Sequence, residues 1–284
     1  MINVSSFFHA DTGTWTHVAA SGTDAVVIDP VLDFDGRSAT VSSHSADALL
    51  QWLSERQMTV HWLLETHAHA DHISAGAFLK KRLGAKLAVG AGIRAVQQHF
   101  APVFQLSQVT DPFDQLLHDG DVLAAGNFTV TVMATPGHTA DSLCYRIGAH
   151  AFIGDTLFAP DIGSARCDFP GGSAAQLFAS VQKLLQLPDD TELHFCHDYP
   201  VANRAPCSSV AVTQQRRHNI HLPAGSDEAA FVKLRTTRDA TLPAPVLFWP
   251  AIHCNIHGGE LPNPDGNGIA YFRIPLNQFR PVRD

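Results

Sequence analysis

The segment at residues 66–72 reads Thr-His-Ala-His-Ala-Asp-His and so places three imidazoles and one carboxylate within six positions. Imidazole nitrogens and carboxylate oxygens are side-chain groups that hold divalent transition metals. Neither a hydrophobic core nor an ordinary surface requires that density of ligand groups. The segment therefore predicts a metal site with four candidate ligands, His67, His69, Asp71 and His72.

The residues around this segment predict where the site lies. Residues 60–64 are apolar and bulky, as in a buried strand of an α/β sheet, and residues 74–83 predict a helix that stops at Gly84. His67 and His69 are two positions apart, so an extended backbone turns both side chains to the same face. We expect the ligands to lie beyond the carboxyl end of a strand, where open α/β sheets place their active sites.

Three later apolar segments also end on a residue that can bind metal. Residues 128–133 alternate like a strand and lead into a turn with His138, residues 151–154 lead to Asp155, and residues 192–196 lead to His197. Taken singly, such a residue can equally be a turn residue or a helix cap. Because a catalytic metal is surrounded from more than one loop, the three strand ends and the first segment together predict one shared site.

The order of these candidate ligands resembles that of the metallo-β-lactamase superfamily, whose signature is H-x-H-x-D-H followed by a distant His, Asp and His. Within the superfamily, residues 65–73, 163–172 and 196–199 resemble the persulfide dioxygenases, also called sulfur dioxygenases, and their bacterial β-lactamase-like relatives. Residues 214–220 and 235–240 resemble the bacterial branch. The resemblance covers most of the chain.

The resemblance implies an α/β fold, a four-layer αββα sandwich. We expect residues 1–200 to form the metallo-β-lactamase-like core and residues 201–284 to form a C-terminal extension that packs on the core within the same domain. Apolar stripes predict helices that begin near Ser45 and that cover residues 174–187. Beyond Pro200, where prolines recur, one helix is predicted, over residues 227–239.

Two ways of using the seven ligands remain open, because their spacing fits both. In the persulfide dioxygenases, the matching positions hold one Fe(II) through two histidines and one carboxylate, here His67, His138 and Asp155. The other four residues then orient the ligands: His69, Asp71, His72 and His197. In a two-zinc site, His67, His69 and His138 bind one ion, Asp71, His72 and His197 bind the other, and Asp155 bridges.

The mono-iron assignment implies a persulfide dioxygenase, in which His67, His138 and Asp155 are catalytic. Its reaction oxidises the terminal sulfur of glutathione persulfide with O2 and yields sulfite and glutathione. The alternative is a two-zinc hydrolase of the glyoxalase II or lactonase type, although the C-terminal substrate-binding region of glyoxalase II is not found here. A metal-binding protein without turnover is a third class.

Three residues are candidates for substrate binding. Arg166 and Tyr199 match family positions near the substrate and suit an anion and a hydrogen bond. Arg217 lies in a C-terminal region, residues 201–284, that is locally basic and suits the carboxylates of glutathione. The structural alternatives are an ion pair between Arg166 and Asp168, a Tyr199 packed in the core, and a solvated helix face for Arg217.

Composition limits the setting and the partners. With 284 residues, 45% of them hydrophobic, the chain can bury a large core, and its net charge of −8 excludes a general nucleic-acid surface. The sequence lacks an apolar run long enough to span a membrane and lacks an export signal at its start, so we expect a cytoplasmic protein. Relatives of this kind often form dimers, so a homodimer is one expectation, while the sequence leaves the oligomeric state open.

Five cysteines, an odd number at wide spacing, argue against a disulfide framework. Cys167 and Cys196 adjoin the motif segments. They either contact substrate or are buried thiols without a chemical role.

Overall fold

The computed structural model describes residues 1–106, 112–201, 204–222 and 225–278. Its strands, in chain order, are β1 (Asn3–His9), β2 (Thr14–Ser21), β3 (Asp24–Ile28), β4 (Val31–Asp35), β5 (Thr40–Ser42), β6 (Thr59–Leu64), β7 (Ile73–Ser74), β8 (Lys86–Gly90), β9 (Gln115–Leu117), β10 (Val122–Ala125), β11 (Phe128–Ala134), β12 (Leu143–Ile147), β13 (His150–Phe152), β14 (Glu192–His194) and β15 (Ser209–Ala211). Its helices are α1 (His44–Glu55), α2 (Gly76–Leu83), α3 (Ile93–Phe104), α4 (Ala174–Leu185), α5 (Val212–His218), α6 (Glu228–Asp239) and α7 (Phe248–Asn255).

The strands form two six-stranded sheets and one small sheet. The first sheet has the order β1-β2-β3-β6-β8-β9, in which β3, β6, β8 and β9 run parallel. The second has the order β10-β11-β12-β13-β14-β15 and is antiparallel except between β13 and β14. A short sheet of β5, β4 and β7 lies beside them. The segment at residues 66–72 follows β6, one of the parallel strands of the first sheet.

Alternating side chains of each sheet fill two different hydrophobic layers. In β3, Val26 and Ile28 pack between the sheets, together with Val130 and Tyr145 of the second sheet. The intervening Val27 faces the helices instead. Each such fully buried side chain contributes about 1.5–3 kcal/mol to stability.

Helices cover the outer face of each sheet. Leu49 of α1, Leu79 of α2 and Ile252 of α7 pack in the layer outside the first sheet. Leu177 of α4 and Phe231 of α6 pack in the layer outside the second. The resulting order of helix, sheet, sheet and helix confirms the predicted four-layer αββα sandwich.

Most predicted elements form close to their expected bounds. Helix α2 ends at Gly84, which adopts a left-handed φ of 65° that a residue without a Cβ tolerates. The predicted start near Ser45 is confirmed to within two positions, since α1 starts at His44 and Ser43, not Ser45, occupies the cap position. Asp227 caps α6 by accepting a hydrogen bond of 3.0 Å from the backbone amide of Ala230.

The region after Pro200 contains more helix than the sequence predicted. Helices α5 and α7 form there in addition to α6. Helix α7 was not predicted, because a proline such as Pro250 ordinarily predicts an interruption of helical structure. Pro250 lies in the first turn of α7, where a backbone N–H would have no helical partner in any case, so the helix tolerates it. Helix α7 contacts β7 and α6 contacts α4. The division into a core and an extension of one domain stays a prediction, and residues 202–203, 223–224 and 279–284 of that extension lie outside the described ranges.

Within the described ranges, no helix has the length and apolarity that crossing a membrane requires. All five cysteines lie in those ranges and carry free thiols.

Candidate metal centre

The loop after β6 is fixed by a buried carboxylate at the end of β3. Asp29 accepts hydrogen bonds of 2.7 Å from the backbone amide of Thr66 and 2.9 Å from its hydroxyl. Since that hydroxyl donates to Asp29, it accepts from Nδ1 of His67, 3.0 Å away. The second nitrogen of His67, Nε2, is thereby left to face the site.

His67, His138 and Asp155 form a compact group whose ligand atoms lie within 4.8 Å of one another. Oδ2 of Asp155 is 4.0 Å from Nε2 of His67 and 3.7 Å from Nε2 of His138. Nδ1 of His138 donates a hydrogen bond of 2.7 Å to the backbone carbonyl of Arg166, which fixes its tautomer with Nε2 unprotonated when the ring is neutral. The two histidines therefore present free nitrogens to one carboxylate.

Burial sets the charge of this group. It lowers the pKa of His67 well below its usual value, and the neighbouring imidazoles of His69 and His138 lower it further. Burial likewise raises the pKa of Asp155, against the opposing influence of His197 and His138. A neutral imidazole is the form that binds a metal, so His67 is held in its ligating state.

His69, Asp71, His72 and His197 form a second group, also within 4.8 Å of one another. Nε2 of His197 is 3.2 Å from Oδ2 of Asp71 and 3.7 Å from Oδ1 of Asp155. Nδ1 of His72 is 3.3 Å from Oδ1 of Asp71. Asp155 thus turns one oxygen toward each group.

His69 is tied to the protein more closely than its neighbours. Its Nε2 lies 3.0 Å from Oδ1 of Asp29 and 3.5 Å from Oε2 of Glu65. Burial alone would lower the pKa of His69, but the charges of Asp29 and Glu65 raise it well above its usual value. Nε2 of His69 is therefore occupied by its hydrogen bond with Asp29.

The donor atoms fit a bound cation. Nε2 of His72, Nε2 of His197 and Oδ1 of Asp155 are buried and have no hydrogen-bond partner among the described residues. Buried polar atoms normally have hydrogen-bond partners, and a bound ion is one of the ordinary explanations for those that have none. Together with the nitrogen and oxygen character of the set, these atoms indicate a metal-binding His/Asp site, at which the seven candidate ligands converge.

Comparison with known proteins agrees with this geometry. The sequence profile of the Metallo-beta-lactamase superfamily matches residues 10–197, which contain all seven ligands. The chain belongs to this superfamily.

Similar proteins come from several branches of the superfamily. The chain is 44% identical over 279 residues to a beta-lactamase hydrolase-like protein of Xylella fastidiosa, a match that covers 96% of this chain but only 64% of that protein. It is 42% identical over 293 residues to a probable metallo-hydrolase of Burkholderia pseudomallei, covering 97% of this chain and 99% of that one. The crystal structure of ETHE1 from Myxococcus xanthus matches with a TM-score of 0.74 and 29% identity, covering 91% of this chain and all of the other.

The predicted substrate residues differ in their surroundings. The hydroxyl of Tyr199 donates a hydrogen bond of 3.3 Å to Oδ2 of Asp71, and the Tyr199 ring stacks on His197 at a centroid distance of 5.9 Å. Burial of the hydroxyl and the charge of Asp71 raise the pKa of Tyr199 well above its usual value. Tyr199 also lines a surface cleft of about 390 Å³ with Phe8 and Asp11.

Neither predicted arginine lines that cleft. The guanidinium of Arg166 forms a two-point ion pair with Asp168, at 2.6 and 2.7 Å, and donates to the carbonyl of Pro243. Arg217 lies exposed on α5. Their contact with substrate stays a prediction, and the structural pairing of Arg166 was the alternative that the sequence left open.

Asp198 and Arg204 have structural roles. Asp198 is fully buried and accepts hydrogen bonds from the guanidinium of Arg204, at 2.7 and 2.8 Å, and from the backbone amide of Cys207.

Cys167 and Cys196, the two cysteines that adjoin the motif segments, are both buried.

Two residues that support the metal centre were not predicted from the sequence. Asp29 was not among the predicted site residues, yet it contacts both Thr66 and His69. Asn255 of α7 donates hydrogen bonds to the carbonyls of His69 and His72. An aspartate that ends a buried strand is a signal that could have indicated the first, whereas nothing in the sequence near Asn255 indicates the second.

Proposed function

We propose that this protein is a persulfide dioxygenase that holds one Fe(II) through His67, His138 and Asp155. The observation that carries the proposal is the compact group of two imidazoles and one carboxylate, which shares no member with the second group of His69, Asp71, His72 and His197. Two histidines and one carboxylate are the ligand set of non-haem Fe(II) oxygenases, which leaves coordination positions for substrate and oxygen.

The charge of the group favours an anionic substrate. A divalent ion held by two neutral imidazoles and one carboxylate keeps a formal charge of about +1. A persulfide anion therefore gains electrostatic stabilisation at this centre, which a neutral thioether would lack. Because the three side chains are largely buried, the attraction is screened less than it would be in water.

When iron is bound, it supplies the activation of O2 for which no side chain of the protein is equipped. Glutathione persulfide, O2 and water then give glutathione, sulfite and two protons, so that the outer sulfur is oxidised, O2 is reduced and the bond between the two sulfurs breaks.

The surrounding residues keep the three ligands in place. Thr66 orients the ring of His67, and the carbonyl of Arg166 orients the ring of His138. His197 faces the second oxygen of Asp155 at 3.7 Å, and the Tyr199 hydroxyl contacts Asp71 at the edge of the surface cleft. We expect substrate to approach along this side, with Tyr199 as a hydrogen-bond donor or acceptor.

The comparisons support this branch of the superfamily in part. The similarity to the ETHE1 structure, at 29% identity, spans 91% of the chain. The activity of the whole protein is a proposal, since the chain spans 64% of the beta-lactamase hydrolase-like relative.

Oxygen consumption tests the proposal directly. Protein is stripped of metal, reloaded anaerobically with Fe(II) or with Zn2+, and mixed with glutathione persulfide in an oxygen electrode. We expect oxygen uptake with sulfite formation in the iron-loaded sample and none in the zinc-loaded sample. An iron-loaded sample that consumes no oxygen contradicts the proposal.

One observation favours a second candidate, a two-zinc hydrolase of the glyoxalase II or lactonase type. Asp155 turns Oδ2 toward His67 and His138 and Oδ1 toward His197, as a bridging carboxylate between two ions would. The similar Burkholderia protein is described as a probable metallo-hydrolase. Two zincs would activate water for attack on a thioester or lactone.

Metal content separates the candidates. Protein purified without added metal is analysed for iron and zinc and then assayed with a glutathione thioester. About one iron per chain without thioester cleavage supports the dioxygenase, whereas about two zincs per chain with cleavage support the hydrolase.

A further inference from the structure

Helix α6 carries a buried ion pair, neither member of which is one of the seven candidate ligands. Arg235 and Asp239 lie one helical turn apart, are 2% and 5% exposed, and form a hydrogen bond between Nη2 and Oδ1. Taking two charges out of water is costly, and apolar side chains of similar volume often stabilise a fold equally well. Nε of Arg235 also lacks a hydrogen-bond partner among the described residues. A contribution to stability therefore does not by itself account for this pair.

The pair is hydrogen-bonded to the backbone of a neighbouring loop. Oδ2 of Asp239 accepts a hydrogen bond of 2.8 Å from the amide of Cys167, and Nη1 of Arg235 donates one of 3.3 Å to the carbonyl of Ser164. Residues 165–168 belong to no helix or strand, so their backbone groups depend on partners of this kind. The two side chains of α6 therefore hold the loop at two points.

One of these two points is a peptide group that also contacts a candidate metal ligand. The amide of Cys167 and the carbonyl of Arg166 belong to the same peptide unit, which is planar, so its N–H and its C=O point in opposite directions. Asp239 accepts from the N–H, and the C=O accepts the hydrogen bond of 2.7 Å from Nδ1 of His138. A carboxylate on the N–H fixes the direction of the carbonyl, and it polarises the peptide so that the carbonyl is a stronger acceptor.

We propose that Asp239 is a positioning residue for His138 and acts through the peptide group between Arg166 and Cys167. In many metal sites a carboxylate accepts directly from the ligating imidazole, which fixes the ring and makes it a stronger ligand. Here the peptide group lies between carboxylate and imidazole, and Arg235 holds the carboxylate in place. His138 binds metal in the dioxygenase and in the hydrolase alike, so this role does not depend on which reaction the protein catalyses.

Two neutral double variants that differ in one hydrogen-bond acceptor test this role. Arg235→Met/Asp239→Asn keeps a side-chain oxygen that can accept from the amide of Cys167, whereas Arg235→Met/Asp239→Leu lacks it. Both remove the two charges together and so leave no unpaired ion in the interior. Competition with a chromogenic chelator measures the affinity for each Co2+ ion that binds, and His138→Ala identifies the ion that His138 holds. We expect that ion to bind about 10- to 100-fold more weakly in the Asp239→Leu variant and nearly as well as in wild type in the Asp239→Asn variant.

Cobalt spectra and unfolding separate positioning from a general loss of structure. Urea unfolding of the metal-free proteins measures stability, and the visible cobalt spectrum reports the geometry of the ion that His138 holds. We expect the spectrum to change in the Asp239→Leu variant and to be restored in the Asp239→Asn variant, although both lack the ion pair. Arg235→Met/Asp239→Ala also lacks the acceptor and gives a second test of the same loss.

The ion pair between Arg216 of α5 and Asp189 provides the control. Arg216 donates to the carbonyls of Leu185 and Leu187, so its backbone contacts lie at the end of α4. Arg216→Met is expected to leave the Co2+ affinity and the cobalt spectrum unchanged. Wild-type affinity in the Asp239→Leu variant, or an equal loss in the Asp239→Leu and Asp239→Asn variants, overturns the proposal. Neither outcome depends on oxygen uptake, so it is distinct from a failure of the proposed dioxygenase reaction.

Discussion

Asn255 donates a hydrogen bond of 2.9 Å from Nδ2 to the backbone carbonyl of His69, a residue 186 positions earlier in the chain. The same amide nitrogen donates to the carbonyl of His72 at 2.7 Å, and its Oδ1 accepts from the amide of Ser74 at 2.9 Å. One side chain of α7 thereby fixes the backbone of the His-rich loop at three points. Helix α7, in the C-terminal region, therefore helps to shape the metal centre.

The substitution Asn255→Asp tests this role. It keeps the acceptor for Ser74 but replaces both donors with oxygen, which repels the two carbonyls. We expect metal affinity to fall about 10- to 100-fold, as for other residues that orient metal ligands. Competition with a chromogenic chelator measures the affinity, and urea unfolding of metal-free protein measures stability separately. Asn267→Asp, on the exposed surface of the same region, is the control and should match wild type.

The substitution His72→Ala distinguishes the two uses of the ligand set. If His67, His138 and Asp155 alone hold the ion, the variant keeps about one iron per chain and loses no more than about 100-fold in oxygen uptake. His138→Ala is the matched variant in the first group and should lose bound iron. Elemental analysis of both proteins decides the matter, and metal loss in the His72 variant equal to that in the His138 variant would argue for a two-metal centre.

The substitution Tyr199→Phe removes the hydroxyl that contacts Asp71. If that hydroxyl also binds the persulfide substrate, KM rises by up to about tenfold, the equivalent of one hydrogen bond, while kcat changes less. Steady-state kinetics separate the two constants. Tyr271→Phe, an exposed tyrosine of the C-terminal region, serves as the control. A fall in kcat at unchanged KM would assign Tyr199 to the metal centre instead of to substrate binding.

Buried histidines make the fold sensitive to acid. Burial lowers the pKa of His17 to about 4 and that of His194 to about 2, from an ordinary value of 6.5. Below pH 6.5 the unfolded chain therefore binds more protons than the folded one. The contribution of these histidines to the free energy of unfolding is fully present above pH 6.5 and decreases as the pH falls toward 4. Each group contributes a loss of up to about 1.4 kcal/mol per pH unit in this range.

The substitution His194→Phe should reduce that loss. The ring of His194 already stacks on Phe152 at 4.7 Å, and Nδ1 of His194 has no hydrogen-bond partner among the described residues. Its Nε2 lies 3.1 Å from Nδ1 of the partly exposed His150, so phenylalanine keeps the stacking and gives up this one contact. Urea unfolding at pH 7 and pH 5 gives the pH dependence of stability. The exposed His99 provides the control variant His99→Gln. Identical pH dependence in wild type and His194→Phe would show that His194 does not contribute.

The sequence predicted the ligands and the fold because both depend on local pattern. His138 and Asp155 follow apolar runs that form β11 and β13 of the second sheet. The structure brings them beside His67, which follows β6 of the first sheet, so the strand ends meet at one site as predicted. The helices beyond Pro200 were less predictable, since a proline in the first turn of α7 has the same sequence signature as a helix breaker.

The amino-acid sequence by itself determined which side chains can bind a metal and which superfamily places them in this order, because the ligand residues lie next to strands with recognisable periodicity. Only the tertiary structure decided how the seven ligands divide into two groups, that Asp29 holds His69, and that Arg166 is paired with Asp168. It alone placed Asn255 against the metal loop. Apart from the short-range Arg166 pair, these contacts join residues far apart in the chain, whose distances follow from the packing of sheets and helices and not from local propensity.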